Sequence, residues 1–235
     1  MKMLVLAGGF GTRLKKAVSE VPKILAPVNN IPLLQIQLEH WISQGQKSFI
    51  FLLHYRADLV IDFLKSLSND ILKGIEVNWI VEKSPLGTGG SVKFAINKMN
   101  LDELILVVNA DTWLSSGLEF IREEPTSAIG VVAVKDTSRY GSVAFNKKGL
   151  VVDFVEKKHS IDDISGYINA GLYKLDTNIF RKIDSKVFSL EKKILPNLAK
   201  NGDLKAKIID TVFYDIGIPE DLNAFCLWHK EYLRN

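Results

Sequence analysis

The chain is short of several things, and each shortage excludes a class of protein. It has one cysteine, Cys226, so no internal disulfide forms and a reducing compartment suits it. Followed by Leu227 and Trp228, that thiol reads as packed rather than reactive. Neither sign of charge dominates. Lys and Arg total 30 against 27 for Asp and Glu, a net charge of +3, too weak a bias to mark a nucleic-acid binder. No apolar run is long enough to span a membrane. The apolar start, Met1 to Ala7, runs into Gly8-Gly9 with no signal-peptide core or cleavage pattern behind it. These absences predict a soluble, cytoplasmic protein that binds neither nucleic acid nor membrane. His40, His54, His159 and His229 lack metal-ligand spacing and read as structural or surface residues. There is no internal repeat, linker or low-complexity stretch.

What is present is ordinary globular material, 47% hydrophobic and 24% charged over 235 residues. That length can bury a core without disulfides or a structural metal. Hydrophobic periodicity predicts short buried strands at Lys2 to Ala7, Ser48 to Leu53, Glu76 to Val81 and Leu104 to Val108. Helical spacing separates them at Leu33 to Gln44, Asp58 to Leu67 and Gly89 to Asn97. Strands alternating with helices imply a parallel sheet covered on both faces. The second half reads differently. Short strand-like runs at Ala128 to Val134, Gly141 to Phe145, Val151 to Val155 and Gly166 to Leu175 are broken by turns such as Asn146-Lys147-Lys148-Gly149. Helix follows at Leu190 to Lys200, strand at Ala206 to Ile209, and a last helix after Pro219. The expected fold is a single α/β domain, Rossmann-like and mostly parallel, with helices on both faces and a mixed-sheet second half. Its first part, about 1–112, is expected to bind nucleotide, and about 113–235 the second substrate.

The most informative stretch is Leu6-Ala7-Gly8-Gly9-Phe10-Gly11-Thr12-Arg13-Leu14. A buried strand ends in three glycines and then a cation. Missing Cβ atoms let backbone N–H groups approach a phosphate closely. Lys2, Arg13, Lys15, Lys16 and Lys23 surround the loop against one acid, Glu20, which favours a triphosphate. A Walker A loop is absent. A dinucleotide fingerprint fails as well, since Gly9 and Gly11 supply only two of its glycines and no acidic ribose-binding residue stands near Leu53.

This loop, with Val21-Pro22-Lys23 after it, resembles the opening of the sugar-1-phosphate nucleotidylyltransferases. The likeness runs along nearly the whole chain. Pro85-Leu86-Gly87-Thr88-Gly89-Gly90 is similar to the family's second glycine-rich loop, which lies under the nucleobase. Asn109-Ala110-Asp111 stands where Asn-Gly-Asp is usual. Tyr140-Gly141, Glu156-Lys157, Asn169-Ala170-Gly171 and Asp215-Ile216-Gly217 follow in order. The compact length, the Pro-Leu-Gly-Thr-Gly-Gly loop and the ending Asp215 to Asp221 point within the family to the D-glycero-D-manno-heptose 1-phosphate guanylyltransferases. Two positions depart from the pattern. Ala110 tightens the space beside the metal, and Ile24 replaces the second proline of Pro-Lys-Pro.

The resemblance implies transfer of a nucleotidyl group from a nucleoside triphosphate to a sugar 1-phosphate. Arg13 would steady the β and γ phosphates, and Lys23 would contact the α-phosphate. Asp111 and Asp215 would hold Mg²⁺, which prefers oxygen ligands. Leu6, Ala7, Gly8, Gly9, Gly11, Thr12, Glu82, Pro85, Gly87 and Thr88 would line the nucleotide site. Asn109, Gly141, Glu156, Lys157, Asn169 and Gly171 would hold the sugar phosphate, with Lys157 on its phosphate and Gly171 leaving room for the ring. Glu82 favours GTP, because a carboxylate accepts two hydrogen bonds side by side and guanine presents two adjacent donors. Alternatives are a uridylyl- or cytidylyltransferase on another sugar 1-phosphate, a transferase with a different acceptor such as phosphocholine, and an inactive regulatory relative. The retained Arg13, Lys23, Asp111, Lys157 and Asp215 argue against the last. Apolar Phe225, Leu227, Trp228 and Leu233 near the C-terminus could form a homo-oligomer interface.

Overall fold

The computed structural model describes residues 1–11, 14, 21–155 and 165–234. Arg13, Thr12, Glu156 and Lys157 therefore lie outside the described residues. The first part winds through β1 (Met3–Leu6), a small hairpin β2 (Pro27–Val28) and β3 (Ile31–Pro32), and α1 (Leu33–Ser43). Next come β4 (Ser48–Leu53), α2 (Ala57–Ser66), β5 (Glu76–Val81), α3 (Gly87–Met99) and β6 (Leu104–Asn109). The second part runs through β7 (Thr112–Leu114), α4 (Leu118–Glu123), β8 (Ala128–Val134), β9 (Ser142–Phe145), β10 (Val151–Val155) and β11 (Gly166–Asp176). It ends with α5 (Asn178–Arg181), a π-helical turn at Leu190–Ile194, α6 (Leu195–Asn201), β12 (Lys205–Ile208), β13 (Phe213–Asp215) and α7 (Pro219–Tyr232).

The main sheet orders its strands β10-β9-β11-β6-β1-β4-β5, with β8 paired to β11 and β12. Strands β6, β1, β4 and β5 are mutually parallel. Alternate residues face opposite sides of these strands. Met3, Val5, Phe49 and Phe51 pack with Leu34, Leu38 and Trp41 of α1. On the other face, Leu4, Ile50 and Leu52 pack with Val92, Ala95 and Ile96 of α3. Nearly continuous apolar strands are what a two-sided cover requires, and the expected α/β class holds. The chain leaves β1 toward β4 and β5, then crosses back to β6 on β1's other side. That reversal opens a crevice beyond the carboxyl ends of β1 and β6, where such sheets bind ligands.

The mixed half is joined on by β11, which is antiparallel to both β6 and β8. Its register shifts between Asn169 and Tyr173, a bulge that bends the strand. Gly171 sits in it at φ +67, and a Cβ there would come within 2.7 Å of the Asn109 side-chain nitrogen. The bulge thus lies against the end of β6, at the crevice. The turn at Asn146 joins β9 to β10 as expected: Asn146 Oδ1 accepts Lys148 N–H at 2.9 Å and Leu150 N–H at 3.2 Å.

Two expectations need adjusting. The helix expected at Leu190 to Lys200 starts as a π turn, with Ser189 Oγ accepting Lys192 N–H. Phe225 is fully buried in a third cluster with Trp113, Ile216 and Leu222, so it is not available to an oligomer interface. Among the four residues considered for that role, Leu227 and Leu233 are the exposed ones.

Candidate active site

Above the ends of β1 and β6 lies a cleft of about 320 Å³. One wall is the first glycine loop, with Leu6, Ala7, Gly8, Gly9 and Phe10. A second is Glu82 and the loop Pro85 to Thr88 at the start of α3, and the floor is Asn109, Ala110 and Asp111 at the end of β6. Lys23 and Ile24 close the remaining side. Most of the nucleotide-side residues chosen from sequence therefore share one cavity. Gly11 stands just behind it: a Cβ there would come within 3.1 Å of Lys23 Cβ, so the glycine lets Lys23 pass. Among the described residues, nothing lies within 4 Å of the Gly9 Cβ position.

The charged centre is an ion pair. Lys23 Nζ stands 2.5 Å from Asp111 Oδ2, the lysine side chain being only 11% exposed and the aspartate 38%. Asp111 lies two residues past the end of β6. Asp215 ends β13, which pairs with β7 so that Asp215 faces Thr112, and Ile216 N–H donates to the Asp111 carbonyl at 2.8 Å. Two aspartates far apart in sequence thus lie on adjoining backbone. Gln37, buried in α1, donates from Nε2 to the Thr112 carbonyl at 2.8 Å and ties this backbone to the sheet's helical cover. The donor set fits a hard cation: two carboxylates, with phosphate oxygens and water to complete the shell. Among the described residues no group of three His, Cys, Asp or Glu side chains gathers.

Glu82 is 7% exposed, and its Oε2 accepts Leu86 N–H at 3.1 Å. The carboxylate steadies the second glycine loop with one oxygen and lines the cleft. Thr88 lines it too, but its hydroxyl is turned toward Glu191, at 2.6 Å. The glycines of that loop make room for a segment distant in sequence. A Cβ on Gly87 would meet the Phe188 carbonyl at 2.6 Å, one on Gly89 the Phe188 ring at 2.3 Å, and one on Gly90 the Lys186 carbonyl at 2.3 Å.

On the sugar side, Asn109 connects the cleft to the bulge in β11. Gly171 makes room for the Asn109 amide rather than for a sugar ring, because its Cβ position is already within van der Waals reach of that amide. Asn169 is engaged locally: Oδ1 accepts Gly171 N–H at 3.0 Å and Nδ2 donates to Tyr173 Oη at 2.8 Å. That leaves it one N–H and one lone pair for a ligand. The buried Gly141 presents its carbonyl to Asn169 N–H at 2.8 Å. Tyr140 beside it packs edge-on against Phe213, ring centres 5.6 Å apart. Burial holds its hydroxyl protonated above the ordinary range. Arg139 pairs with Asp221 at the start of α7, Nη2 to Oδ2 2.5 Å, fastening this loop to the element after Asp215. Desolvation pushes the Cys226 thiol up, in keeping with a packed, unreactive role.

The nucleotidyl transferase family profile matches residues 2–228. This chain belongs to the nucleotidyl transferase family. A similar protein is D-glycero-alpha-D-manno-heptose 1-phosphate guanylyltransferase of Campylobacter jejuni, 33% identical over 97% of this chain and 99% of that one. The catalytic subunit beta of mannose-1-phosphate guanylyltransferase from Drosophila pseudoobscura is 31% identical, but this chain spans only 62% of its length. Among solved structures, HddC from Yersinia pseudotuberculosis complexed with GMP-PN is 34% identical and superposes with a TM-score of 0.82, covering 97% of this chain and 99% of that one. A UDP-glucose pyrophosphorylase complexed with UDP-glucose reaches the same TM-score at 19% identity, which speaks for the fold alone. The family expected from the glycine loop is thus the family to which the transferase belongs. Sequence reasoning missed Phe10, Ser91 and the segment Lys186 to Glu191. Their partners lie far away in sequence or in loops without periodicity.

Proposed function

We propose that this transferase moves a guanylyl group from GTP to D-glycero-α-D-manno-heptose 1-phosphate, releasing pyrophosphate. The observation that carries the reading is the cleft at the β1/β6 reversal, where the glycine loop, Lys23 and Asp111 converge. Likeness over almost the full length of a heptose 1-phosphate guanylyltransferase, and to HddC complexed with GMP-PN, supports the donor and acceptor. About 1–112 serve the nucleotide and about 113–235 the sugar phosphate. The phosphorylated, water-soluble substrates and the lone cysteine favour the cytoplasm.

A phosphate oxygen of the sugar 1-phosphate attacks the α-phosphorus in line. The new P–O bond forms as the bond to the β-phosphate breaks. The nucleophile is already an anion and needs no general base, so alignment and charge neutralisation do the catalysis. Gly8 and Gly9 present backbone to the triphosphate. Lys23 turns its ammonium from Asp111 Oδ2 to the α-phosphate. Glu82 keeps one oxygen on Leu86 N–H and offers the other to the guanine edge. Asn109 bridges toward the sugar. By resemblance, Arg13 holds the departing pyrophosphate and Lys157 the sugar phosphate. Asp111 and Asp215 would hold Mg²⁺, which supplies positive charge to the phosphate oxygens.

The test is a screen of four nucleoside triphosphates against heptose, mannose, glucose and N-acetylglucosamine 1-phosphates, reading pyrophosphate release. The expected leading pair is GTP with the heptose phosphate. Preference for UTP or CTP, or for a gluco-configured acceptor, overturns this assignment within the family.

A further inference from the structure

The second glycine loop is clamped from behind by a segment about a hundred residues further along the chain. The amide groups of Gly89 and Gly90 both donate to the Phe188 carbonyl, at 3.0 and 3.1 Å, and Phe188 N–H donates to the Leu86 carbonyl at 3.0 Å. Two of the first-turn N–H groups of α3, those of Gly89 and Gly90, are therefore already used. Thr88 Oγ1 accepts Leu190 N–H at 2.9 Å and donates to Glu191 Oε2 at 2.6 Å. Ser189 Oγ donates to the same Glu191 oxygen at 2.6 Å. Lys193 Nζ stands 5.6 Å from the centre of the Phe188 ring, whose edge fills the space left by Gly89.

The same loop has a second face. Leu86, Gly87 and Thr88 line the cleft, and Glu82 holds Leu86 N–H from that side. Thr88's single proton goes to Glu191, so it cannot serve a ligand as donor. Its position is set from outside the cleft. We infer that Glu191, acting through Thr88, is a positioning residue that fixes the height of this loop under the nucleobase, so that Lys186 to Glu191 tunes nucleotide affinity. The inference rests on the proposed nucleotide site and adds to it a control element from the other half of the chain.

The experiment measures GTP binding by calorimetry without sugar phosphate, KM for each substrate, and thermal midpoints, for wild type, Glu191→Ala, Glu191→Gln, Thr88→Val, the Glu191→Ala/Thr88→Val double variant, and Ser185→Ala as a control on the same segment. Losing a hydrogen bond to a charged partner should raise the GTP Kd of Glu191→Ala about ten-fold, while KM for heptose 1-phosphate stays within about two-fold. Glu191→Gln should recover most of the affinity, because its amide oxygen still accepts the Thr88 hydroxyl. Thr88→Val should lose at least as much as Glu191→Ala, since it also leaves Leu190 N–H without its acceptor, the double variant should be no worse than Thr88→Val alone, and Ser185→Ala should bind like wild type. If Glu191→Ala fails to fold, Glu191→Gln and Thr88→Val still decide. An unchanged GTP Kd in Thr88→Val and Glu191→Ala overturns the inference. So does a loss that falls equally on both substrates with no rescue by Gln. A wild-type chain that binds no GTP overturns the proposed donor, and the inference with it, whereas wild-type binding with insensitive variants overturns the inference alone.

Discussion

At the residue scale, the Lys23–Asp111 pair sits inside the cleft with the lysine almost wholly covered. Removing one member leaves the other charge poorly matched, and the proposed mechanism uses both. Asp111→Asn keeps the volume and should lower kcat by at least about two orders of magnitude, since an electrostatic contact of this kind is worth ~3 kcal/mol in a transition state. The thermal midpoint should move little. Turnover near wild type at saturating Mg²⁺ would remove Asp111 from the metal site. Chelation by EDTA should abolish turnover and added Mg²⁺ restore it, if Asp111 and Asp215 hold the metal as proposed. Glu82 makes the sharper specificity test. Glu82→Gln keeps an acceptor for Leu86 N–H, so the loop should stay in place while the charge offered to the base is lost. GTP use should fall about ten-fold and pyrimidine triphosphates much less. A variant with its GTP preference intact would reduce Glu82 to a loop cap.

At the element scale, the bulge of β11 is the splice between the two halves. It is pinned by Asn169 on one side and by the contact of Gly171 with Asn109 on the other. A side chain at Gly171 faces two obstacles, the positive φ and the Asn109 amide. Gly171→Ala should therefore cost about 1–3 kcal/mol in urea unfolding and displace Asn109. KM for the sugar phosphate should rise more than KM for GTP. If stability and both KM values stay at wild-type levels, the bulge does not position the sugar side. The exposed Arg139–Asp221 pair, by contrast, contributes little to stability. Its use is to keep the Tyr140–Gly141 loop beside the start of α7.

For the whole molecule, pH dependence follows from one half-buried and one buried imidazole. Desolvation lowers the pKa of His40, which packs on Trp113 and bonds the Leu114 carbonyl, and of His229, which is covered by Phe225. Both lie below the ordinary 6.5. The unfolded chain takes up protons that the folded one refuses. The stability these groups contribute is thus complete above 6.5 and lost as pH falls through the folded values. The thermal midpoint should be level, from this source, between about pH 7 and 8 and should drop from about pH 6.5 toward pH 5. In His40→Gln the drop should be shallower. A slope identical to wild type would mean that other groups govern it.

The first half of the sheet was legible in the sequence because buried parallel strands are apolar throughout, and four of them alternate with helical patterns. The glycine loop and Lys23 were legible because they are local: strand, glycines and cation follow one another within a short stretch. Asp111 could be placed at a strand's carboxyl end for the same reason. What the sequence could not show is where distant segments meet. The hairpin at Pro27 to Pro32 and the short strand β7 carry too few residues for a period. The second glycine loop could be placed under a nucleobase only by resemblance. Only the approach of Phe188 and Lys186, about a hundred residues away, shows what excludes a side chain there. Gly171 likewise looked like room for a sugar until β11 folded against Asn109. Local chain chemistry determined the fold class and the first glycine loop. Long-range packing decided which glycines face the cleft, which polar side chains are already satisfied, and which segment holds the second loop in place.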